Sequence, residues 1–154
     1  MKIIYIHHAD RNHDKNINRQ EQDITEDGII EAELIAKKMN KIKIKAIYTS
    51  PYLRCTHTAQ IINKYINVPI YKDDFLNEME SSESWKDLQL RTSKGLDNII
   101  KNNDEDDIII CITSRVNLSG FIYYFTKKEP DNNNPLIQAV MCSPVLFSTN
   151  NSQF

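Results

Sequence analysis

An α/β architecture is what this sequence predicts: a three-layer α/β/α sandwich with helices on both faces of a mostly parallel central sheet. Two observations carry the prediction. Short β-rich runs alternate with stretches of helical periodicity along the chain. The run Ile108-Ile109-Ile110-Cys111-Ile112 is apolar at every position, as a strand covered on both faces must be.

Taken in order, Lys2 to His7 reads as a buried strand, and residues 9 to 24 as polar and irregular. Thr25-Glu26-Asp27 looks like a helix start, with Thr25 as N-cap and acidic residues in the first turn. Behind it Ile29, Ala32, Ala36 and Met39 recur at helical spacing, with Ile30 and Leu34 beside them. Lys37, Lys38 and Lys41 fall where they suit the end of a helix dipole. A second strand, Ala46 to Thr49, is ended by Ser50-Pro51, and a helix is expected from about Leu53 to Tyr65. Val68 to Tyr71 is a third strand, and Ser84 to about Lys101 a weaker helical pattern. The strand from Asp107 to Thr113 leads to a helix over Val116 to Phe125. A last strand is expected within Ala139 to Phe147, interrupted at Pro144. The polar stretches Lys101 to Asp107 and Asp131 to Asn134 read as surface loops, not linkers, so a single domain over 1–154 is expected.

Composition narrows the function classes. At 154 residues and 40% hydrophobic, the chain can bury a real core. Nineteen basic against 21 acidic residues give a formal charge of −2, which argues against nucleic acid or a membrane surface as partner. No apolar run reaches the roughly 18 residues that a bilayer span needs. The N-terminal residues lack the pattern of a signal peptide. Three widely spaced cysteines, Cys55, Cys111 and Cys142, form no CxxC pair, and a reducing cytoplasm is the simpler setting.

In an open α/β sheet the ligand site lies outside the carboxyl ends of the strands. Those ends are His7-His8, Thr49-Ser50 and Thr113-Ser114. Arg54 sits just past the second. A guanidinium forks onto phosphate oxygens, and a neutral imidazole is a nucleophile toward phosphorus. Taken alone, His8 would read as a hydrogen-bonded histidine at a strand end, and Glu78 as a loop carboxylate. Other chemistries find no support: a cysteine phosphatase needs five residues between Cys and Arg, whereas Arg115 stands four positions after Cys111. There is no P-loop, GxGxxG or Gly-x-Ser-x-Gly elbow. His7, His8, His13 and Asp10 could suggest a metal cluster, but adjacent histidines on a strand are expected to point to opposite faces.

Five segments together carry a resemblance. They are His7-His8-Ala9, Ile24-Thr25-Glu26-Asp27-Gly28, the long stretch Tyr48-Thr49-Ser50-Pro51-Tyr52-Leu53-Arg54-Cys55-Thr56-His57-Thr58-Ala59, Leu76-Asn77-Glu78 with Trp85 beyond it, and Thr113-Ser114-Arg115. In this order they resemble the motifs of the histidine phosphatases, the phosphoglycerate mutase-like superfamily. The resemblance runs from Lys2 to about Phe147 and implies that superfamily's fold. It implies that His8 accepts a phosphoryl group, that Arg54 holds the phosphate, that Glu78 protonates the leaving oxygen, and that neither metal nor cofactor is used. His7 and Ser114 fall at the remaining phosphate-binding positions, and Arg115, beside Ser114 where the family has Gly, is a further candidate to bind the phosphate. Trp85 is expected to pack rather than stack on substrate.

Three departures from the family pattern bear on activity, beside His57 for Gln and Arg115 for Gly. His7 stands where the family has Arg, Ser114 where it has His, and Ala9 where it has Gly. Loss of one preorganised donor commonly costs about 10²–10³ in rate, and an added Cβ can crowd a turn. Arg11, His13, His57 and Arg115 are candidates to restore positive charge; as the alternative, Arg11, His13 and Arg115 are solvated surface groups. The expected function is hydrolysis of a phosphomonoester, slow because of these changes, with a small phosphate ester or a phosphoprotein as substrate. The alternatives are a silent relative that binds a phosphorylated ligand, and a structural partner that dimerises through the sheet edge.

Overall fold

The computed structural model describes residues 1–129 and 142–149. The elements follow the order β1 (Lys2–His7), α1 (Glu26–Met39), β2 (Ala46–Thr49), α2 (Leu53–Ile66), β3 (Ile70–Lys72), α3 (Trp85–Lys101), β4 (Ile108–Thr113), α4 (Asn117–Thr126) and β5 (Pro144–Ser148). A single 3₁₀ turn, Asp74–Leu76, precedes α3. The sheet order is β3-β2-β4-β1-β5. β2, β3, β4 and β1 are parallel, and β5 runs antiparallel on β1. The expected loop at Asp131 to Asn134 and the start of the last strand at Ala139 lie outside the described residues. Pro144 opens β5 rather than interrupting it.

Alternation along the central strands builds two cores. Ile4, Ile6, Ile110 and Ile112 face one way, with Ala32, Ile35, Ala36, Ala59 and Ile62 from α1 and α2. Ile3, Tyr5, Ile109 and Cys111 face the other, with Leu96, Ile99, Leu118 and Phe121 from α3 and α4. Each Ile, Leu or Phe among these contributes roughly 1.5–3 kcal/mol by leaving water, which is why β1 and β4 are apolar on both faces.

Helix starts follow local chemistry. Thr25 Oγ1 accepts from the Gly28 N–H at 3.1 Å and caps α1. Ser84 and Asp87 cap each other's backbone at the start of α3. Two expectations need correction. Of the expected stripe Ala32, Ala36 and Met39 are buried, together with Gly28 and Ile35, whereas Ile29, Ile30 and Leu34 are exposed. α1 also ends at Met39, so Lys41 lies beyond it. No helix among the described residues is long and apolar enough to cross a membrane.

Candidate active site

His7 pairs with Thr113 across β1 and β4, and Thr49 with Ile112 across β2 and β4. The carboxyl ends of three neighbouring strands therefore share one rim. Ser50-Pro51 ends β2 there, since proline has no N–H to continue a ladder, and α2 starts at once, placing Arg54 in its first turn.

Arg54 is fully buried. Its Nε–H donates to His8 Nε2 at 3.1 Å, its Nη1 to the Arg19 carbonyl at 2.6 Å, and its Nη2 to Glu78 Oε2 at 2.5 Å. The sequence-predicted pair, His8 and Arg54, thus meets on one rim. On its other side, His8 Nδ1 lies 2.8 Å from the Ala9 carbonyl. A carbonyl can only accept, so Nδ1 carries the proton and Nε2 holds the lone pair. That lone pair accepts from Arg54. Burial, and then the neighbouring His7, hold His8 well below the ordinary histidine pKa.

Thr58, one turn after Arg54, explains part of the long motif. Its hydroxyl donates to the Arg54 carbonyl at 2.6 Å and accepts from the Ala9 N–H at 3.1 Å. One side chain thereby ties α2 to the loop after β1. Ala9 is completely buried and is not among the residues with positive φ, so no glycine is required at this point. Gly28 is required by contact: a Cβ there would lie 2.3 Å from the Asp10 carbonyl oxygen.

Glu78 lies between two guanidiniums, Arg54 and Arg19, each at 2.5 Å. Its backbone is fixed by its neighbours. Thr113 Oγ1 donates to the Leu76 carbonyl, Asn117 Nδ2 and Arg91 Nη1 donate to the Asn77 carbonyl, and Ser50 Oγ donates to Asn77 Oδ1. Arg19, Asn77, Asn117, Thr58 and Gln22 were not singled out from sequence. Thr58 sat inside the quoted motif; Arg19 and Gln22 lie in the irregular stretch before α1, where no periodicity marks them.

The remaining candidates fall as follows. The His7 ring lies 4.3 Å from that of His8, centroid to centroid, so the two do not point to opposite faces. His8 is already beyond the last residue of β1, where strand alternation stops. His7 is buried, its Nδ1 has no hydrogen-bond partner, and burial followed by the charges of Arg115, Arg54 and Arg11 holds it down to about 4. Ser114 Oγ donates to Asn117 Oδ1 at 2.9 Å, and Tyr5 OH donates to the Ser114 carbonyl at 2.7 Å. Arg115 is exposed, and its charge is felt at His7 and Tyr5. His57 is turned to Asp23, at 2.8 Å. Trp85, expected to pack, is 47% exposed at the start of α3. The three cysteines are buried free thiols, and burial raises that of Cys55 to about 12.

The fold and this rim define a phosphatase-like α/β class, and the comparisons specify it. The model of the histidine phosphatase superfamily (branch 1) matches residues 6–83, and the chain belongs to that family. Over 81 residues it is 32% identical to a probable phosphatase of Schizosaccharomyces pombe, a match covering 50% of this chain and only 29% of that protein. The phosphoserine phosphatase of Entamoeba histolytica, solved with 3-phosphoglyceric acid, superposes with a TM-score of 0.80 at 17% identity, over 97% of this chain and 91% of that one. The protein histidine phosphatase SixA, solved with tungstate, gives 0.76 at 15% identity, over 99% and 90%. These structural likenesses concern the fold.

Proposed function

We propose that the chain is a phosphomonoester hydrolase working through a phosphohistidine at His8. The observation that carries this reading is the buried contact between Arg54 and His8 Nε2. A fully buried guanidinium offers five N–H donors, of which three are placed on His8, Arg19 and Glu78. Two are left, and with Arg54 fully buried a phosphate oxygen reaches them only as the exposed Arg19 swings away from the rim. Arg11 and Arg115 bring further positive charge around the two neutral imidazoles, so an anion meets a cationic rim with an uncharged nucleophile.

In the first step the His8 Nε2 lone pair leaves Arg54 and forms the N–P bond as the ester P–O bond breaks. The leaving oxygen takes a proton from Glu78 in its acid form. In the second step the Glu78 carboxylate takes a proton from water as the water oxygen attacks phosphorus; the N–P bond breaks, inorganic phosphate departs, and His8 Nε2 and the Glu78 acid are restored. Ala9 O keeps the Nδ1 proton in place throughout, which fixes the reactive tautomer. Glu78 reaches its acid role by releasing Arg19, which is 56% exposed, rather than the buried Arg54. His7, Ser114 and Arg115 are assigned to the phosphate oxygens. The fold is shared with SixA, a protein histidine phosphatase solved with tungstate, itself an oxyanion.

A second reading is favoured by one observation. Ser114 Oγ is held by Asn117, so no cation stands at that position; a chain that binds phosphate without turnover fits this as well. Hydrolysis of an aryl phosphate, with His8→Ala as control, separates the two. The enzyme reading expects turnover that drops to the buffer rate in the variant. Equal rates from both proteins, with tungstate still binding, leave the binding reading. Restoring His7→Arg with Ser114→His is expected to raise turnover.

A further inference from the structure

In the proposed reaction Glu78 gives its proton to the leaving oxygen, and Arg19 has let go of it by then. Arg54 keeps its hold on one carboxyl oxygen at 2.5 Å, and the rest of the positioning falls to the backbone. A general acid works within hydrogen-bond reach of the oxygen it protonates. A displacement of about 1 Å can cost about 10²-fold in rate.

The residue before the acid, Asn77, is tied at each of its polar groups. Its N–H donates to the Asp74 carbonyl at 3.0 Å, and its side-chain amide to Asp74 Oδ1 at 3.1 Å. Its Oδ1 accepts from Ser50 Oγ, just past the end of β2, at 2.8 Å. Its carbonyl, which belongs to the peptide bond with Glu78, accepts from Arg91 Nη1 of α3 and from Asn117 Nδ2 of α4, each at 3.0 Å. The ends of β2 and two helices thus converge on one residue.

Asn117 reaches further than the other two. It opens α4 and is completely buried. The Asn77 carbonyl can only accept, so the Asn117 amide nitrogen faces it and Oδ1 turns the other way, where it accepts from Ser114 Oγ at 2.9 Å. The Asn117 N–H also donates to the Ser114 carbonyl at 3.1 Å. That carbonyl accepts in turn from the hydroxyl of Tyr5, a buried residue of β1, at 2.7 Å. Polar links therefore run unbroken from β1, the strand that delivers His7 and His8, through Ser114 and Asn117 to the neighbour of Glu78. A buried amide that spends its donor on one loop and its acceptor on another fixes the two against each other.

We propose that Asn117 is a positioning residue for the acid step: by holding the Asn77 carbonyl against Ser114 and β1, it sets where the Glu78 carboxyl stands relative to His8. The proposal rests on the phosphatase reading of the rim, with Glu78 as the acid. Asn117 acts through Asn77, from behind the rim, and carries no proton in the reaction.

Hydrolysis of phenyl phosphate and of p-nitrophenyl phosphate by the full chain tests this. Nitrophenolate leaves without help from an acid, whereas phenolate, a much stronger base, needs the proton. The quantity to read is kcat/KM, which covers only the steps through transfer to His8, where the leaving oxygen departs. Asn117→Ala is expected to lose about tenfold or more on phenyl phosphate and less than about threefold on the nitrophenyl ester. Glu78→Gln is the reference, with the same bias in greater degree. Asn117→Ser, too short to reach Asn77 but still able to bond Ser114, carries the test if the Ala variant does not fold. Losses that are equal on the two esters, or absent, while Glu78→Gln stays selective, overturn the positioning role and leave Glu78 as the acid. If Glu78→Gln loses equally on both, the acid assignment falls and the proposal with it. If the parent turns over neither ester, the phosphatase reading falls and takes the proposal along.

Discussion

Arg54 is a guanidinium with no accessible surface, and what keeps it charged is visible atom by atom. Glu78 supplies the counter-charge, the Arg19 carbonyl and His8 Nε2 supply acceptors, and the Tyr52 ring lies 4.9 Å from the guanidinium carbon. Such a cluster costs little when complete and much when one member is removed. Arg54→Met should therefore strand Glu78, 13% exposed, with Arg19 alone. Urea denaturation is expected to show a loss of about 3–5 kcal/mol. Arg54→Lys keeps the charge without the fork; it is expected to fold more stably than the Met variant and still to bind tungstate poorly. A Met variant as stable as the parent would show that the cluster is not a compensated buried charge. At this scale the sequence was most readable where the motif was continuous. His8, Arg54 and Glu78 converge as expected, whereas Arg19 was invisible because its role depends on a loop path rather than on a pattern.

At the scale of elements, α1 acts as the clamp on the loop that carries the site. Thr25 N–H and Thr25 Oγ1 bond the Asp10 carbonyl and carboxylate, and Glu31 accepts from the Asp10 N–H. Gly28 lets the helix come this close. Gly28→Ala should improve an isolated helix by about 1 kcal/mol, yet here the new Cβ meets the Asp10 backbone oxygen at 2.3 Å. Overpacking of this kind costs about 1–3 kcal/mol, so the net expectation is a lower Tm together with weaker tungstate binding, as Ala9 and Arg11 move with Asp10. A Tm above the parent's would mean that the loop yields freely. The helix itself and most of its buried face, Ala32, Ala36 and Met39, are legible in the sequence; Ile29, Ile30 and Leu34 are not on that face. Apolar residues also stand beside that stripe at 30, 34 and 35, so its edges are not marked. The small side chains of Ala32 and Ala36 lie in one cluster with Ala59 and Ile62 of α2, and Ile29, Ile30 and Leu34 are left on the outside.

For the whole molecule, the alternation of elements and the two-sided burial of β4 were written in the local sequence. The order β3-β2-β4-β1-β5 was not, because strand partners are chosen by long-range packing. One consequence of that order is global. It buries His7 and His8 side by side at the end of β1, where the charges of Arg54 and Arg11 act on both. Both imidazoles are held below their ordinary pKa of about 6.5. The unfolded chain therefore takes up protons as pH falls through about 6.5, while the native state does not take one up at His7 until about 4. Between those values the unfolded state binds more protons, so stability rises with pH, is complete above about 6.5, and is lost on acidification. For His7 alone the difference amounts to about 2 kcal/mol at pH 5. Glu83, held low chiefly by its hydrogen bond from Arg91, acts only further down, below the ordinary carboxylate range. Urea denaturation of the parent at pH 7 and pH 5, repeated on His7→Gln, isolates the effect. The parent is expected to lose stability over this interval, and the variant to lose about 2 kcal/mol less. Equal losses in both would place the acid sensitivity elsewhere and show that His7 is solvated in the native state.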